Sequence, residues 1–421
     1  MITILLLAAL LLMAMGLPIA VTIGLVSIGY IFINEIPVNI ITQQIVGGVD
    51  VTSLLAIPLF ILAGDLMSKG GLAKRMIRLA SALVGKVSGG LGLVTVLACM
   101  FFSAISGSGV ATAAALGSLM IPAMVNKGYD RGFASSIVAT ASPLGVIIPP
   151  SISFIIYSSL TGVSVANLYK VGIPAGLLIG FVLMILFYFL ARKHGYKAEN
   201  TPFDRKEFWS ALKDSLWALG TPVILVGGVF GGVFTPTESA VAAVFYALGV
   251  GLFIYKDLKF KDILPIFYGS AKLTANIMFI IANASLLAWV LTAEGIPQSI
   301  VATFLSFSDN PIVILLIINL IILIIGLFME TSATLVILVP LFLPIVTSLG
   351  MDPLHFGIVV VIGTAIGLAT PPFGVCLFTA ASVGKVSIQK LSKHIVLPIL
   401  VMIAVLLFIT FVPEVVMFLV K

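Results

Sequence analysis

The chain has 421 residues, of which 61% are hydrophobic and only 9% charged, with a formal net charge of +6. Soluble domains carry about 25% charged residues, so a water-soluble globule is excluded and the reading is an all-α polytopic membrane protein with the bilayer as its solvent. Apolar runs that are continuous rather than alternating exclude a β-barrel. Basic residues confined to short loops set orientation rather than bind nucleic acid.

The first twenty residues, "MITILLLAALLLMAMGLPIA", lack a basic leader and run straight into more apolar sequence. They are expected to be a retained first membrane segment rather than a cleaved signal. Next come basic loops: Lys69, Lys74, Arg75, Arg78 and Lys86, then Lys127 and Arg131. Further loops carry Arg192 to Lys213, then Lys256, Lys259 and Lys261, and finally Lys385, Lys390 and Lys393. The positive-inside rule puts all five on the cytoplasmic side. Between Lys272 and Lys385 there is no Lys or Arg, and the loops carry only Glu294, Asp309 and Asp352. Loops of that kind read as external.

Residues 87–126 thus have both ends on one side across about two bilayer thicknesses. Two full crossings fit, and so does a re-entrant hairpin. The polar tip, "SGSG" at 106–109, favours the hairpin, because irregular backbone at membrane depth survives only inside protein or along a cavity. The tip offers Ser103, Ser106, Ser108, Gly109 and Thr112 at the start of a helix, where free N–H groups and the dipole cradle an anion. The plainer alternative is a small-residue packing motif.

A broken helix is expected over about 133–169. Its "SPLGVIIPPS", residues 142–151, holds a Pro-Pro pair that interrupts backbone hydrogen bonding. Freed carbonyls of Gly145, Val146 and Ile148, with serine hydroxyls, have the oxygen chemistry that a hard cation such as Na⁺ takes. A simple kink is the other reading.

Residues 200–217, "NTPFDRKEFWSALKDSLW", are expected to form an amphipathic interfacial connector, with Phe208, Leu212 and Leu216 on one face. It separates a first half, 1–199, from a second, 218–421. "TPTE" at 235–238 reads first as a capping box and otherwise places Glu238 on a wall between moving parts.

In the second half, a hairpin is expected over about 310–350 and a broken helix over about 355–384. "METSAT" supplies Glu330, Thr331, Ser332 and Thr334, and "GLATPPFG" supplies Gly367 and Thr370. Glu330 is either an intramembrane carboxylate with a functional role or a helix-end residue near the external surface.

The halves are related. Shifted by 222 residues, 111–150 and 333–372 match at eleven of 40 ungapped positions, including three prolines, two of them Pro149/Pro371 and Pro150/Pro372, with Gly145/Gly367 and Asp130/Asp352. Opposite flanking charge makes them inverted-topology repeats with two re-entrant hairpins, an arrangement that holds substrate and ions at the midplane. Two Na⁺ sites are expected, one from Ser103, Ser106, Gly145 and Ile148, the other from Gly326, Glu330, Gly367 and Thr370. The substrate pocket is expected to use Ser108, Gly109, Thr112, Ser151, Thr331, Ser332 and Thr334. Cys99 and Cys376 read as small core residues. His194, His355 and His394 are too scattered for a metal centre. No phosphate-binding loop pattern is present. An intramembrane enzyme would need a nucleophile–base pair or metal-ligand spacing, and the serines have no nearby histidine.

The stretches "GGLAKRMIRLASALVGKVSGGL" (70–91), "SGSGVATAAALGSLMIPAM" (106–124), "PPSISFIIY" (149–157), "GGVFTPTESA" (231–240) and "LATPPFG" (368–374) together resemble the large membrane subunit of tripartite ATP-independent periplasmic (TRAP) transporters, in the ion transporter superfamily. The resemblance implies Na⁺-coupled import of an acidic organic solute, such as a C4-dicarboxylate or sialic acid, across a bacterial inner membrane. It also implies a small four-helix membrane subunit, a periplasmic substrate-binding protein, and an elevator-type scaffold with a mobile transport domain. The chain has no room for the small subunit, which is expected to be separate. A stand-alone Na⁺- or H⁺-coupled anion permease of related fold is the alternative.

Overall fold

The computed structural model describes residues 8, 11–13, 15–85, 87, 89–196, 204–296, 298, 299, 301, 302 and 310–420. Much of the expected first membrane segment and Asp309 lie outside the described residues. Helices and their connections make up the described chain, as a bilayer requires of backbone polar groups. Among the described residues, eight helices are long and apolar enough to cross a membrane, or nine if one bent pair is counted as a span.

The first part runs through α1 (Ile19–Ile33), α2 (Asn39–Val49), α3 (Ala56–Lys69) and the amphipathic α4 (Leu72–Val84). A helical hairpin follows, α5 (Gly90–Ser106) and α6 (Gly109–Asn126). Next comes a broken helix: α7 (Arg131–Ala141) and α8 (Leu144–Ile147), then, past the cis Pro149–Pro150 bond, α9 (Ile152–Thr161) bent by 42°. Then α10 (Val165–Lys193) closes this part. The broken helix stops earlier than the expected 169. Gly162 ends α9 in the left-handed region at φ +73°, and Ser164 caps a new helix by accepting the Asn167 N–H.

The second part opens with α11 (Arg205–Pro222), which continues through a π turn, Val223–Gly227, to Phe230. The expected connector is therefore only the start of a longer helix, and its residues 200–203 lie outside the described part. Pro222 has no N–H to give the helix, and the wider π turn that follows absorbs the mismatch. Its polar face is not turned to water alone. Arg78 of α4 bonds Glu207 at 2.9 Å and Asp214 at 3.2 Å, while Trp209, Leu216 and Trp217 are exposed. Arg75 adds Asp257 at 2.7 Å and stacks 3.5 Å from the Tyr255 ring centroid.

There follow α12 (Pro236–Gly249), α13 (Phe260–Ala293), a second hairpin of α14 (Pro311–Phe328) and α15 (Thr331–Ser348), a second broken helix of α16 (Pro353–Ala369) and α17 (Val375–Gly384) across the cis Pro371–Pro372 bond, then α18 (Ile388–Phe411) and the short α19 (Glu414–Met417). The bounds of α6 and α15 differ by the same 222 residues as the sequence match, as do those of α7–α8 and α16.

Long α13 is the spine of one side. It carries α1 through a Tyr30–Glu294 hydrogen bond and α3 through Ser270 Oγ, which donates to Asp65 at 2.6 Å. The other side is built on α7 and α16, buried along nearly their whole lengths. Asp130 caps α7 and pairs with Lys390 of α18 at 2.6 Å. Burial pushes the Asp130 carboxyl up, but the Lys390 ammonium and the Phe133 and Gly132 N–H groups outweigh this and hold it below the usual carboxylate range.

The charge pattern makes an outcome testable here. A cysteine replacing Lys127 or Lys206, both exposed, should be shielded from an impermeant external thiol reagent, and one replacing Glu294 should react. The native cysteines are buried and silent in this assay. Labelling of all three from one side would contradict the inverted arrangement.

Candidate functional site

The turn of the first hairpin depends on Gly107, left-handed at φ +61°, where a Cβ would lie 3.1 Å from the Pro150 carbonyl oxygen. Ser108 is extended and caps α6, its Oγ accepting the Ala111 N–H at 3.4 Å. Two hydroxyls donate to the Ser108 carbonyl: Ser106 Oγ at 3.3 Å and Thr112 Oγ1 at 2.8 Å. A Cβ on Gly145 would lie 2.7 Å from that carbonyl oxygen and 2.8 Å from Thr112 Oγ1. So Ser106, Ser108, Thr112 and Gly145 gather at one point, with Gly109 beside them. Ser103, a turn earlier, is buried and donates to the Cys99 carbonyl. The Ile148 side chain turns away, onto Gly176 of α10.

One expectation is corrected. The Val146 carbonyl is not free, because Ser151, just past the Pro-Pro pair, reaches back and donates its hydroxyl to it. Ser151 is itself buried.

The second hairpin turns at Met329, and Glu330 stands where Ser108 stands in the first, as the cap of α15. Its Oε2 accepts the Ser332 N–H at 2.9 Å and its Oε1 the Ser332 hydroxyl at 3.3 Å. The Ala333 N–H also points to this carboxylate. Thr334 Oγ1 donates to the Glu330 carbonyl at 3.1 Å. Thr331 Oγ1 is fully buried and has no hydrogen-bond partner. Glu330 itself is exposed.

Behind this tip the backbones of α14 and α16 touch. A Cβ on Gly367 would fall 2.6 Å from the Gly326 oxygen and 2.7 Å from its Cα, and one on Gly326 would fall 3.1 Å from Thr364 Cα. Gly326 and Gly367 are thus brought together. Thr370 is a turn away, its N–H on the Gly367 carbonyl at 3.0 Å and its hydroxyl on that of Ile366 at 2.8 Å.

Sequence reasoning missed the element that joins the tips. Cys376, at the start of α17, is buried as expected of a small core residue. A Cβ on Gly109 would lie 3.1 Å from its sulfur and 3.4 Å from the Ser142 carbonyl. At the second tip the Phe328 ring lies 4.9 Å from that of Phe373, just before α17. Both hairpin ends therefore border the start of α17. A signal existed in part, since Ser142 and Thr364 share one register in the 222-residue repeat.

On the other wall, α3 bears on the first tip: a Cβ at Gly64 would lie 3.2 Å from the Ile105 carbonyl oxygen. Glu238 is exposed and closes a capping box with Thr235, so the structural reading of "TPTE" holds. No cluster of three metal-ligating side chains occurs among the described residues.

Comparison with known proteins comes down on one side. Residues 6–415 match the model of the tripartite ATP-independent periplasmic transporter, DctM component. The chain is 42% identical over 407 residues to the isethionate TRAP transporter permease protein DctMQ of Oleidesulfovibrio alaskensis, covering 96% of this chain and 64% of that one. It is 42% identical over 363 residues to the C4-dicarboxylate TRAP transporter large permease protein DctM of Pseudomonas aeruginosa, covering 86% and 85%. It is 36% identical over 387 residues to the sialic acid TRAP transporter large permease protein SiaM of Vibrio cholerae, covering 92% and 90%. Among solved structures, the YdaH transporter of Alcanivorax borkumensis superposes with a TM-score of 0.62 at 15% identity, covering 88% and 86%.

Proposed function

This chain belongs to the tripartite ATP-independent periplasmic transporters as a DctM component, and from that premise we propose that it is the large permease subunit of a Na⁺-coupled importer of an acidic organic solute. It is a multi-pass protein of the bacterial inner membrane, a transporter component and not an enzyme. Isethionate, C4-dicarboxylates and sialic acid, named for its relatives, are all anions at neutral pH, which supports the acidic class. The proposed assembly adds a separate small membrane subunit and a periplasmic binding protein that hands over the substrate.

The observation that carries the reading is the placement of both hairpin tips at the start of α17, each opening a helix N-terminus beside a Pro-Pro break. Such helix ends favour anions, and the nearby hydroxyl and carbonyl oxygens suit Na⁺. In this reading Ser103, Ser106, Gly145 and Ile148 hold one ion. Gly326, Glu330, Gly367 and Thr370 hold the other. Na⁺ arriving with the anion offsets its charge. Ser108, Gly109 and Thr112 face the solute on one side, and Thr331, Ser332 and Thr334 form the other wall. The scaffold of α1, α3, α12 and α13 stays fixed while the hairpins and broken helices move past it.

The test is uptake into vesicles containing the full assembly. Ser108→Ala removes one hydrogen bond to a charged group, about 1.5–3 kcal/mol, and should weaken apparent affinity roughly ten- to hundredfold. Ser118→Ala, on the exposed face of the same helix, should change nothing. Ser106→Ala should weaken the Na⁺ dependence while the subunits still assemble. Unaltered uptake and Na⁺ titration in both Ser108→Ala and Ser106→Ala would remove the hairpin tips as the site.

A further inference from the structure

The two tips are built on one plan and differ in the residue that caps the helix. Helices α6 and α15 have 18 residues each, and their caps are Ser108 and Glu330, equivalent residues in the repeat. Ser108 presents a neutral hydroxyl that takes one long bond, 3.4 Å, from the Ala111 N–H. Glu330 presents a carboxylate that takes the N–H groups of Ser332 and Ala333 and the Ser332 hydroxyl. The first helix end is open to an external anion, whereas the second already holds one, supplied by the chain. A second carboxylate brought to α15 would find its donors engaged and a like charge in place, and like charges a few ångströms apart repel by several kcal/mol in a protein interior.

We propose that Glu330 fills the anion cradle of the second hairpin from within, so that the acidic group of the substrate is received by the first hairpin alone, and that Glu330 is a specificity-determining residue. The inference rests on the hairpin reading of the site and names which half of it takes the acid. The Glu330 carboxylate is not a remote charge. It caps the hairpin whose Phe328 ring lies 4.9 Å from that of Phe373, at the start of the same α17 whose Cys376 lies beside Gly109. The next residue, Thr331, is buried and its hydroxyl has no partner. The far end of the substrate therefore meets a wall whose N–H donors are already taken and whose carboxylate is shared with the proposed Na⁺, which suits hydroxyl or amide groups and leaves a bare second carboxylate without donors.

The test uses butyrate and succinate, four-carbon probes that differ in one carboxylate. Each is titrated against the purified full chain at constant Na⁺ and ionic strength, with thermal stabilisation as the readout. Glu330→Ser gives the second tip the cap of the first, and should raise the affinity ratio of succinate to butyrate at least tenfold over wild type. Glu330→Gln keeps an acceptor for the Ser332 N–H and removes the charge, so its ratio should rise by less. It also serves as the folded variant should Glu330→Ser unfold. Ser108→Ala should weaken both probes together. A ratio unchanged in both Glu330 variants, with Ser108→Ala still weakening both probes, overturns the role of Glu330 and leaves the hairpin site standing. Indifference of both probes to Ser108→Ala overturns the hairpin site, and this inference falls with it.

Discussion

Replacing Na⁺ by choline should reduce uptake of the acidic solute to below about one-hundredth of its rate. No Lys or Arg lies between Arg131 and Lys170 or between Lys272 and Lys385, so past Arg131 the broken helices and the second hairpin have no fixed cation to offer. The solute anion and Glu330 would share one crevice with only helix ends and hydroxyls around them. A buried charge without a partner costs several kcal/mol, while a cation about 4 Å away returns about 4 kcal/mol at an effective dielectric of 20. Two such ions make the difference between binding and exclusion. The measurement is radiolabelled uptake into vesicles containing the full assembly, with choline replacing Na⁺ at constant ionic strength. Uptake that survives in choline and instead follows an imposed proton gradient would assign the coupling to protons.

Gly367→Ala should lower thermal stability and abolish coupled uptake together. The added methyl meets Gly326 backbone, not the end of a flexible side chain, so it cannot be accommodated by a rotamer change. Helices α14 and α16 must separate, and overpacking of that kind costs about 1–3 kcal/mol, occasionally more. The same movement pulls apart the two glycines proposed for the second Na⁺ site. Gly269→Ala is the control. It lies mid-helix in α13 with nothing within 4 Å of its Cβ position, and alanine there should be neutral or stabilising by up to about 1 kcal/mol. Thermal unfolding and a Na⁺ titration of uptake read the two effects. A Gly367→Ala protein with wild-type melting and wild-type Na⁺ dependence would show that the contact is not tight and that Gly367 is not part of the ion site.

A good deal of this was legible in the residues. Hydropathy excludes a soluble globule, and hydrophobic runs need no tertiary information to be read. The hairpin turn at Ser106–Gly109 and the Pro-Pro breaks are local chemistry, since a glycine turn and a missing N–H act within one or two helical turns. The repeat was visible because it preserves spacing, and the structure places equivalent helix ends at the same 222-residue offset.

Other features were not legible, for reasons that can be named. Residues 200–217 carry a convincing interfacial pattern, yet their polar face is held by Arg78, more than a hundred residues away. Periodicity shows that a face is polar but not what covers it. Val, Leu and Tyr past Gly162 continue the apolar run and hide the end of the first broken helix, which one left-handed glycine decides.

By itself the sequence determined the class, the helices, the duplicated plan and the list of residues able to bind an ion or an acid, because each depends on composition or on contacts a few residues apart. Tertiary structure alone decided which of those groups are engaged. The Asp65 carboxylate is taken by Ser270, Asp130 by Lys390, and Gly326 is pressed against Gly367. It also put the start of α17 against both tips. The physical reason is that a hydrogen bond or a backbone contact depends on distances of a few tenths of an ångström between helices far apart in the chain, and hydrophobic patterning constrains which face is buried without setting those distances.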